Sequence, residues 1–168
     1  MSFAPQRAVP AALSLAVMFA LCAAGLLDEA FATGDPFVGT WAMNLQRSRY
    51  ESGDLPRQML IVMSPAERGI HYRSQTTLSN GNRVSSEYTA EYDSGLAMVV
   101  GNAGILAPVS LRRLDERTVE CSYMSGMRVV ATSRRVVSDD GTTLTVSTVS
   151  KARDGTTGTN LAVFDRVN

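Results

Sequence analysis

The chain is poor in the residue types that hold metals, form disulfides or bind polyanions. Its 168 residues include two cysteines and one histidine, and its basic and acidic side chains number 16 each. The lone histidine, His71, cannot supply the cluster of ligands that a metal site needs. Balanced charge gives no reason to expect binding to nucleic acid or to an anionic membrane surface. We therefore expect no metal and no nucleic-acid partner.

Motifs for catalysis or cofactor binding are also missing from the sequence. It has no glycine-rich phosphate loop, no Gly-x-Ser-x-Gly elbow and no Ser/His/Asp set. The acidic stretches 139–141 and 154–155 lack the alternating oxygen ligands of a calcium loop, so hairpin turns explain them. We expect no cofactor and a non-catalytic protein. An enzyme that uses Cys121 as a nucleophile is an alternative, although such a thiol needs a nearby base or cation.

One long apolar run is present, over residues 11–27, with Arg7 before it and two acidic residues after it. A basic residue, an apolar stretch and small residues at 30 and 32 are typical of an export signal cleaved before Thr33. We predict a signal peptide over 1–32, one domain over 33–168, and a periplasmic or extracellular location. An uncleaved anchor is the alternative. Residues 33–168 contain no second run of spanning length, so we expect no membrane span after cleavage.

Residues 33–168 show the two-residue alternation and frequent turn signals of an all-β domain. Asn80-Gly81, Asp140-Gly141 and Asp154-Gly155 favour tight hairpin turns. Between the turns we predict about ten strands: 37–44, 57–63, 70–78, 83–92, 96–100, 108–114, 118–123, 127–137, 142–151 and 160–167. Residues 45–56 and 101–107 are predicted loops. Consecutive strands joined by short turns give an antiparallel up-and-down meander, and closure into a barrel of about 8–10 strands removes the exposed edges.

The alternation also predicts which side chains face the interior. Cys121 shares its face with Val119 and points inward, and it has no disulfide partner once residues 1–32 are removed. The predicted inner face carries many hydroxyl groups: Tyr72, Ser74, Thr76, Ser86, Tyr88 and Tyr123. Because each buried hydroxyl needs a partner, this composition favours a wet cavity over a filled core, which is the alternative.

Arginines on two strands bear on the charge of this interior. Arg134 shares a face with Thr132 and Val136, and as an interior cation it would bind an anionic ligand. The alternative is that Arg134 points outward and Arg135 lies inside or at the rim, since a β-bulge would exchange the two faces. We expect Arg113, at a strand end, to be solvated at the rim.

The two ends of the domain resemble those of the calycin superfamily. The first strand reads Phe-Val-Gly-Thr-Trp over 37–41, and the last reads Leu-Ala-Val-Phe-Asp-Arg-Val over 161–167. The strand count is similar to that of the fatty-acid-binding branch, and the exported meander resembles bacterial lipocalin-like proteins. The resemblance implies a barrel with Trp41 packed across its floor and an internal site for a small hydrophobic or amphipathic ligand. Ala162 and Phe164 stand where the fatty-acid-binding branch has its Arg-x-Tyr clamp, and 45–56 is too short for that branch's two-helix lid.

From these patterns the leading interpretation is an exported, non-enzymatic barrel that binds a small hydrophobic or amphipathic molecule in its interior. The candidate ligand-binding residues are Trp41, Tyr72, Tyr88, Tyr92, Cys121, Tyr123 and Arg134. The alternative is a protein-interaction barrel, such as a peptidase inhibitor or envelope accessory factor. A filled core with an exposed apolar loop around 96–106 would favour that alternative.

Overall fold

The alternating residues of this chain form one antiparallel sheet in a computed structural model, which describes residues 34–167 apart from 52, 103 and 153. The strands are β1 (Gly39–Met43), β2 (Arg49–Tyr50), β3 (Gln58–Ala66), β4 (Gly69–Thr77), β5 (Arg83–Glu91), β6 (Val100–Gly101), β7 (Gly104–Ile105), β8 (Val109–Asp115), β9 (Thr118–Ser125), β10 (Arg128–Val137), β11 (Thr143–Lys151) and β12 (Thr157–Val167). The predicted signal peptide, 1–32, lies outside the described residues. Within them, no helix is long and apolar enough to cross a membrane.

The sheet follows chain order except where its two ends meet. The spatial order is β7-β6-β5-β4-β3-β1-β12-β11-β10-β9-β8, so the first and last long strands pair side by side. Bridges between Tyr92 and Leu111 and between Ala97 and Val109 then join the segment after β5 to β8. This curled antiparallel meander confirms the predicted all-β barrel. The two-residue strands β2 and β7 lie in stretches predicted as loops, because short pairings of this kind leave no alternation to detect. The predicted strand over 96–100 is mostly wrong: only Val100 belongs to a strand, β6, and residues 96–99 form a single bridge at Ala97.

One end of the barrel is closed by a packed floor. Phe37, Trp41 and Phe164 are among its largest fully buried side chains, and Trp41 Nε1 donates to the carbonyl oxygen of Phe37 at 2.9 Å. Arg166 covers the outside of the Trp41 ring and occupies the space that a Cβ at Gly39 would need. Gly39 has a φ of +142°, so both its backbone and its neighbour favour glycine there. The Gly-x-Trp sequence therefore serves the packing of the floor.

Toward the opposite end, which we call the open end, inward side chains become steadily more exposed. On β5, Ala90 and Tyr88 are buried, Ser86 is half-buried and Val84 is exposed. On β11, Leu144 is buried, whereas Val146, Thr148 and Ser150 on the same face are half-buried. Solvent therefore reaches the inner wall from the open end as far as the middle of the barrel. We call this accessible part of the interior the mouth.

The prediction that Arg134 faces the interior is wrong, and a β-bulge is the reason. The β9–β10 hairpin closes with Ser125 opposite Arg128, but Val130 is an extra residue, so Tyr123 pairs with Ala131. From there on, β10 is shifted by one residue relative to a regular hairpin. Arg135 consequently lies opposite Val119 and is 5% exposed, while Arg134 is exposed on the outer wall.

Candidate ligand site at the mouth of the barrel

A buried arginine lies at the bottom of the mouth. Strand β10 carries it inward, and its guanidinium donates hydrogen bonds to two phenol oxygens from other strands. Arg135 Nη1 lies 2.8 Å from the hydroxyl of Tyr88, and Nη2 lies 3.2 Å from the hydroxyl of Tyr123. A phenol hydroxyl carries no charge, so the hydrogen bonds orient the cation without neutralising it.

An aromatic pair forms the wall beside this cation. The rings of Tyr72 and Tyr88 stack with centroids 4.8 Å apart and planes 13° from parallel. Their positions follow from the register, because the two residues are direct partners on β4 and β5. The guanidinium carbon of Arg135 lies 4.8 Å from the centroid of the Tyr72 ring, which is within the range of a cation–π contact. The aromatic face thus replaces part of the hydration that Arg135 loses.

Burial sets the protonation states in this cluster. It raises the pKa of Tyr72 to about 12, although the nearby Arg135 charge opposes the rise. It likewise raises the pKa of Tyr88 well above its usual value and raises the pKa of the Cys121 thiol. Burial alone lowers the pKa of Arg135, but the thiolate and phenolates that form around it at high pH raise it by more. At neutral pH the phenols and the thiol are therefore neutral and Arg135 is a cation.

The cluster consequently carries one uncompensated positive charge. Among residues 34–167, less 52, 103 and 153, no carboxylate pairs with Arg135. A guanidinium has five N–H donors, and the two phenol oxygens take two of them. Burying a charge without a counter-ion is unfavourable, so the remaining donors favour an anion in the mouth.

Below Arg135 the barrel is filled, whereas the wall above it is polar: Ser74 and Ser133 are buried there, and Ser86 and Thr148 are half-buried. The apolar side chains that line the space between Arg135 and the floor leave no room for a water molecule; they include Phe37, Met63, Ile70 and Leu111. On the mouth side, neighbouring strands satisfy their own hydroxyls. Ser74 and Ser86 Oγ lie 2.8 Å apart, and Ser133 Oγ lies 2.7 Å from Thr148 Oγ1. The predicted inward hydroxyls are thus present. Because these four hydroxyls hydrogen-bond one another in pairs, their burial does not require a fully hydrated interior.

A separate groove lies outside the mouth, at the open end of β3, β4 and β5. It has a volume of about 440 Å³, and most of its walls are outward-facing polar side chains: Gln58, Gln75, Thr77, Arg83, Ser85 and Asn102. Two inward-facing residues, Thr76 and Val84, also line it and so connect it to the rim of the mouth. The candidate ligand residues line other parts of the barrel.

The structure brings together four of the candidate residues and separates the others. Tyr72, Tyr88, Cys121 and Tyr123 surround Arg135, which takes the place predicted for Arg134. Trp41 belongs to the floor, beyond the filled layer. The alternative prediction, with Arg134 outside and Arg135 inside, is therefore the correct one. The pattern alone does not decide between them, because both faces of β10 carry similar residues and the bulge leaves no mark in the sequence.

Tyr92 belongs to a second cluster, at the closed end. Its hydroxyl donates to Asp35 Oδ2 at 2.7 Å, and Arg113 Nη2 donates to the same oxygen at 2.7 Å. The guanidinium of Arg113 also lies over the Tyr92 ring at 4.1 Å. The expectation that Arg113 is solvated at the rim is wrong, because Asp35, distant in sequence, pairs with it. This cluster fastens the segment before β1 across the floor.

The geometry around Cys121 and His71 bears on the catalytic alternative. Cys121 is fully buried on the inner face, and burial raises the pKa of its thiol although the charge of Arg135 opposes the rise. His71 lies on the outer face of β4, with Nδ1 2.9 Å from Thr89 Oγ1 and Nε2 3.5 Å from Glu87 Oε1. The sheet thus separates the thiol from the imidazole. The described part of the chain also contains no cluster of three or more His, Cys, Asp or Glu side chains that could hold a metal ion.

Comparisons with known proteins bear on the fold. The chain matches no protein-family model and no curated protein sequence. Among solved structures it is similar to the zebrafish ileal bile-acid-binding protein complexed with cholic acid, with a TM-score of 0.52 and 8% sequence identity. The match covers 79% of this chain and 99% of that one. At this identity the likeness concerns the fold. Together with the closed floor and the paired end strands, it identifies the described domain as a calycin-like β-barrel.

Proposed function

We propose that this protein binds a small amphipathic anion in the mouth of its barrel, outside the cytoplasm. The observation that carries the proposal is the buried, uncompensated charge of Arg135, held by two phenol hydroxyls at the point that solvent reaches from the open end. The anionic group would accept the free N–H donors of Arg135, and the apolar body would lie toward the half-buried inner wall. The zebrafish neighbour, which is complexed with cholic acid, gives an independent example of a small amphipathic ligand in this fold.

The proposed location depends on the N-terminal sequence. Residues 1–32 have the order of an export signal: a basic residue, an apolar run and small residues before the cleavage site. Edman sequencing or intact mass of the protein recovered from its host tests this part separately. A mature chain that begins at Thr33 supports export, whereas an intact N-terminus supports the anchor alternative.

A matched pair of fluorescent probes tests the ligand class. 1-Anilinonaphthalene-8-sulfonate and N-phenyl-1-naphthylamine share an aromatic body, but only the first carries an anionic group. We expect the sulfonate to bind at least tenfold more tightly, because a charge-assisted hydrogen bond to Arg135 contributes about 1.5–3 kcal/mol. Replacement Arg135→Gln should abolish that difference, and Arg134→Gln, on the outer wall, should preserve it.

The outcomes separate the alternatives. Equal affinity for the two probes in the unaltered protein contradicts the role of Arg135 in selecting an anion. No binding of either probe, with a native fold by circular dichroism, contradicts the binding function as a whole. The protein-interaction alternative then gains, since one of its requirements, exposed apolar side chains at Leu96 and Leu106, is present.

A further inference from the structure

The open end of the barrel carries cations that have no carboxylate partner. Five exposed basic side chains lie on strands or turns at this end: Arg49, Arg57, Arg83, Arg128 and Lys151. None of them forms an ion pair with any residue that the structure describes. The acidic side chains at the same end are fewer. Of these, Asp54 accepts a hydrogen bond from Ser79 Oγ, and Asp154 caps its own turn through Thr156.

The closed end has the opposite character. Its turns are rich in carboxylates, which include Glu67, Asp93, Asp115, Glu116, Asp139 and Asp140. The cations at these turns are paired: Arg68 with Glu91 at 2.7 Å and Arg117 with Asp139 at 3.8 Å. The balanced total charge of the chain therefore conceals a polarity along the barrel, with free cations at the open end and carboxylates at the closed end.

Exposed apolar side chains lie among the free cations. Met127, next to Arg128 at the tip of the β9–β10 hairpin, is 99% exposed. Leu96, Met98 and Val100 alternate along the segment after β5 and are each about half exposed, at 58%, 53% and 47%. Alternation directs all three to the outer side, since the intervening Val99 is buried. This row is unusual, because outward positions elsewhere on the barrel are mostly polar.

Backbone hydrogen bonds connect the apolar row, the hairpin tip and the start of β5, although the row begins three residues after the closed-end turn at Asp93 and ends with Val100 opposite Glu87 in the middle of β5. Met124 N donates to Pro108 O at 2.8 Å, which holds the hairpin tip beside the start of β8. Ala97 N donates to Val109 O at 2.7 Å, which holds the apolar row beside the same residues. Asn102 Nδ2 donates to Arg83 O at 2.9 Å, which fixes the β6–β7 turn against the cationic end of β5. Apolar side chains and free cations thus form one surface.

We propose that this open-end surface docks onto an anionic lipid bilayer. Met127 and the neighbouring apolar row would enter the boundary between headgroups and acyl chains, while the cations bind lipid phosphates. The cations favour a lipid surface over a protein partner because they are spread over separate turns. Apart from Arg49, whose Nη1 donates to the carbonyl oxygens of Gln46 and Ser48, none of them donates a side-chain hydrogen bond to a residue that the structure describes. Lipid headgroups can move within the bilayer, so their phosphates can approach each cation without a fixed spacing between them. The proposal is independent of what the mouth binds.

A dye attached at defined positions tests the docking and its orientation. In the full chain with Cys22→Ser, an environment-sensitive dye is placed at Met127→Cys or, as a control, at Leu114→Cys on the closed half of β8. We expect a blue shift at position 127, and no shift at 114, with vesicles of phosphatidylglycerol and phosphatidylcholine. Pure phosphatidylcholine should give a much weaker response.

Variants that remove cations then test whether the open-end surface recognises anionic lipid. Replacing Arg83, Arg128 and Lys151 with glutamine should weaken vesicle binding roughly fivefold for each cation removed. The matched replacement of Arg68, Arg117 and Arg134 at the other end should leave binding unchanged. The proposal is overturned by equal shifts at 127 and 114, by a shift that does not depend on anionic lipid, or by no shift. A shift that rises with protein concentration in the absence of vesicles also overturns it, since this indicates self-association.

Discussion

The guanidinium carbon of Arg166 lies 4.1 Å from the centroid of the Trp41 ring and joins the last strand of the barrel to the first. The same group donates to Gly141 O at 2.6 Å and to Val38 O and Pro36 O at 2.7 Å each. Three carbonyl groups that have no partner in the sheet are thereby satisfied by one side chain. Arg166 thus fastens both the turn before β11 and the segment before β1 to the floor.

Loss of this contact should destabilise the whole barrel. We expect Arg166→Gln to lower the free energy of unfolding by about 2–4 kcal/mol, from the lost charged hydrogen bonds and the cation–π contact. Urea unfolding followed by the fluorescence of Trp41, the single tryptophan, measures the effect. The control is Arg134→Gln, at an exposed site, which should change stability by less than about 0.5 kcal/mol. Equal effects in the two variants contradict the role given to Arg166.

Much of this fold follows from patterns that are local in the sequence. The alternation around Val119 and Cys121, and the turns at Asn80-Gly81 and Asp140-Gly141, indicate strands, faces and hairpins correctly. These features depend on neighbouring residues, which a single sequence shows. The predicted closure of the meander requires its two ends to meet, and β1 and β12 do pair.

The candidate site is less predictable because it depends on register and on distant contacts. One bulged residue, Val130, decides that Arg135 and not Arg134 enters the interior. The contact of Asp35 with Arg113 joins residues 78 positions apart, and no local pattern indicates it. The net charge likewise does not reveal that free cations lie at one end of the barrel and carboxylates at the other. That separation becomes visible only when the structure shows at which end each turn lies.

The buried tyrosines should make stability fall at alkaline pH. Burial raises the pKa of Tyr72 from 10 to about 12 and raises that of Tyr88, so the folded state binds these protons more tightly than the unfolded state. This contribution is complete below pH 10 and is lost as pH rises through the folded pKa values. For Tyr72 it amounts to roughly 2–3 kcal/mol.

Absorbance at 295 nm and urea unfolding between pH 9 and about 12 measure this behaviour. We expect phenolate absorbance from the interior to appear together with unfolding, as one transition. Tyr72→Phe keeps the stacked ring and should make the loss of stability with pH shallower. If the interior phenols ionise while the fold remains native, the assigned burial of Tyr72 and Tyr88 is wrong.

Cys121 should be unreactive in the folded protein. Its side chain is fully buried, and burial raises the pKa of the thiol, so neither access nor thiolate is available to an alkylating reagent. In a Cys22→Ser chain, we expect labelling by iodoacetamide at pH 8 only at denaturant concentrations that unfold the barrel. Met127→Cys in the same background provides a fully exposed thiol and should label at the rate of a free cysteine. Rapid labelling of Cys121 without denaturant would favour the catalytic alternative.

The ion pair between Asp35 and Arg113 should contribute more to the free energy of unfolding than an exposed ion pair does. Asp35 and Arg113 side chains are only 20% and 25% exposed, and Asp35 also accepts the hydrogen bond of Tyr92. We expect Asp35→Asn to cost about 1–3 kcal/mol, because it leaves a partly buried guanidinium without its counter-ion. The matched change at an exposed pair, Asp165→Asn beside Arg47, should cost less than about 1 kcal/mol. Similar costs by thermal or urea unfolding would argue against a fastening role for Asp35.

Removal of Val130 should leave the interior cluster intact. Deleting this residue turns the bulge into a regular hairpin, and Tyr123 still pairs with Ala131. Arg135 therefore stays opposite Val119, and the affinity for the sulfonate probe should change less than twofold. Loss of the preference for the sulfonate probe in this variant would show that the bulge itself shapes the mouth.

Because β10 already contains the bulged residue Val130, the β9–β10 hairpin responds differently to a deletion and to an insertion. A codon lost between the turn and Arg135 can be absorbed by straightening the strand, and the interior keeps its cation. A codon gained in the strand, where the exposed turn does not take up the extra residue, would bring Arg134 into the place of Arg135 and shift every side chain that follows up to the next turn. Lineages that descend from this protein could therefore alter the chemistry of the mouth in one step, by lengthening a hairpin, with no amino acid replaced.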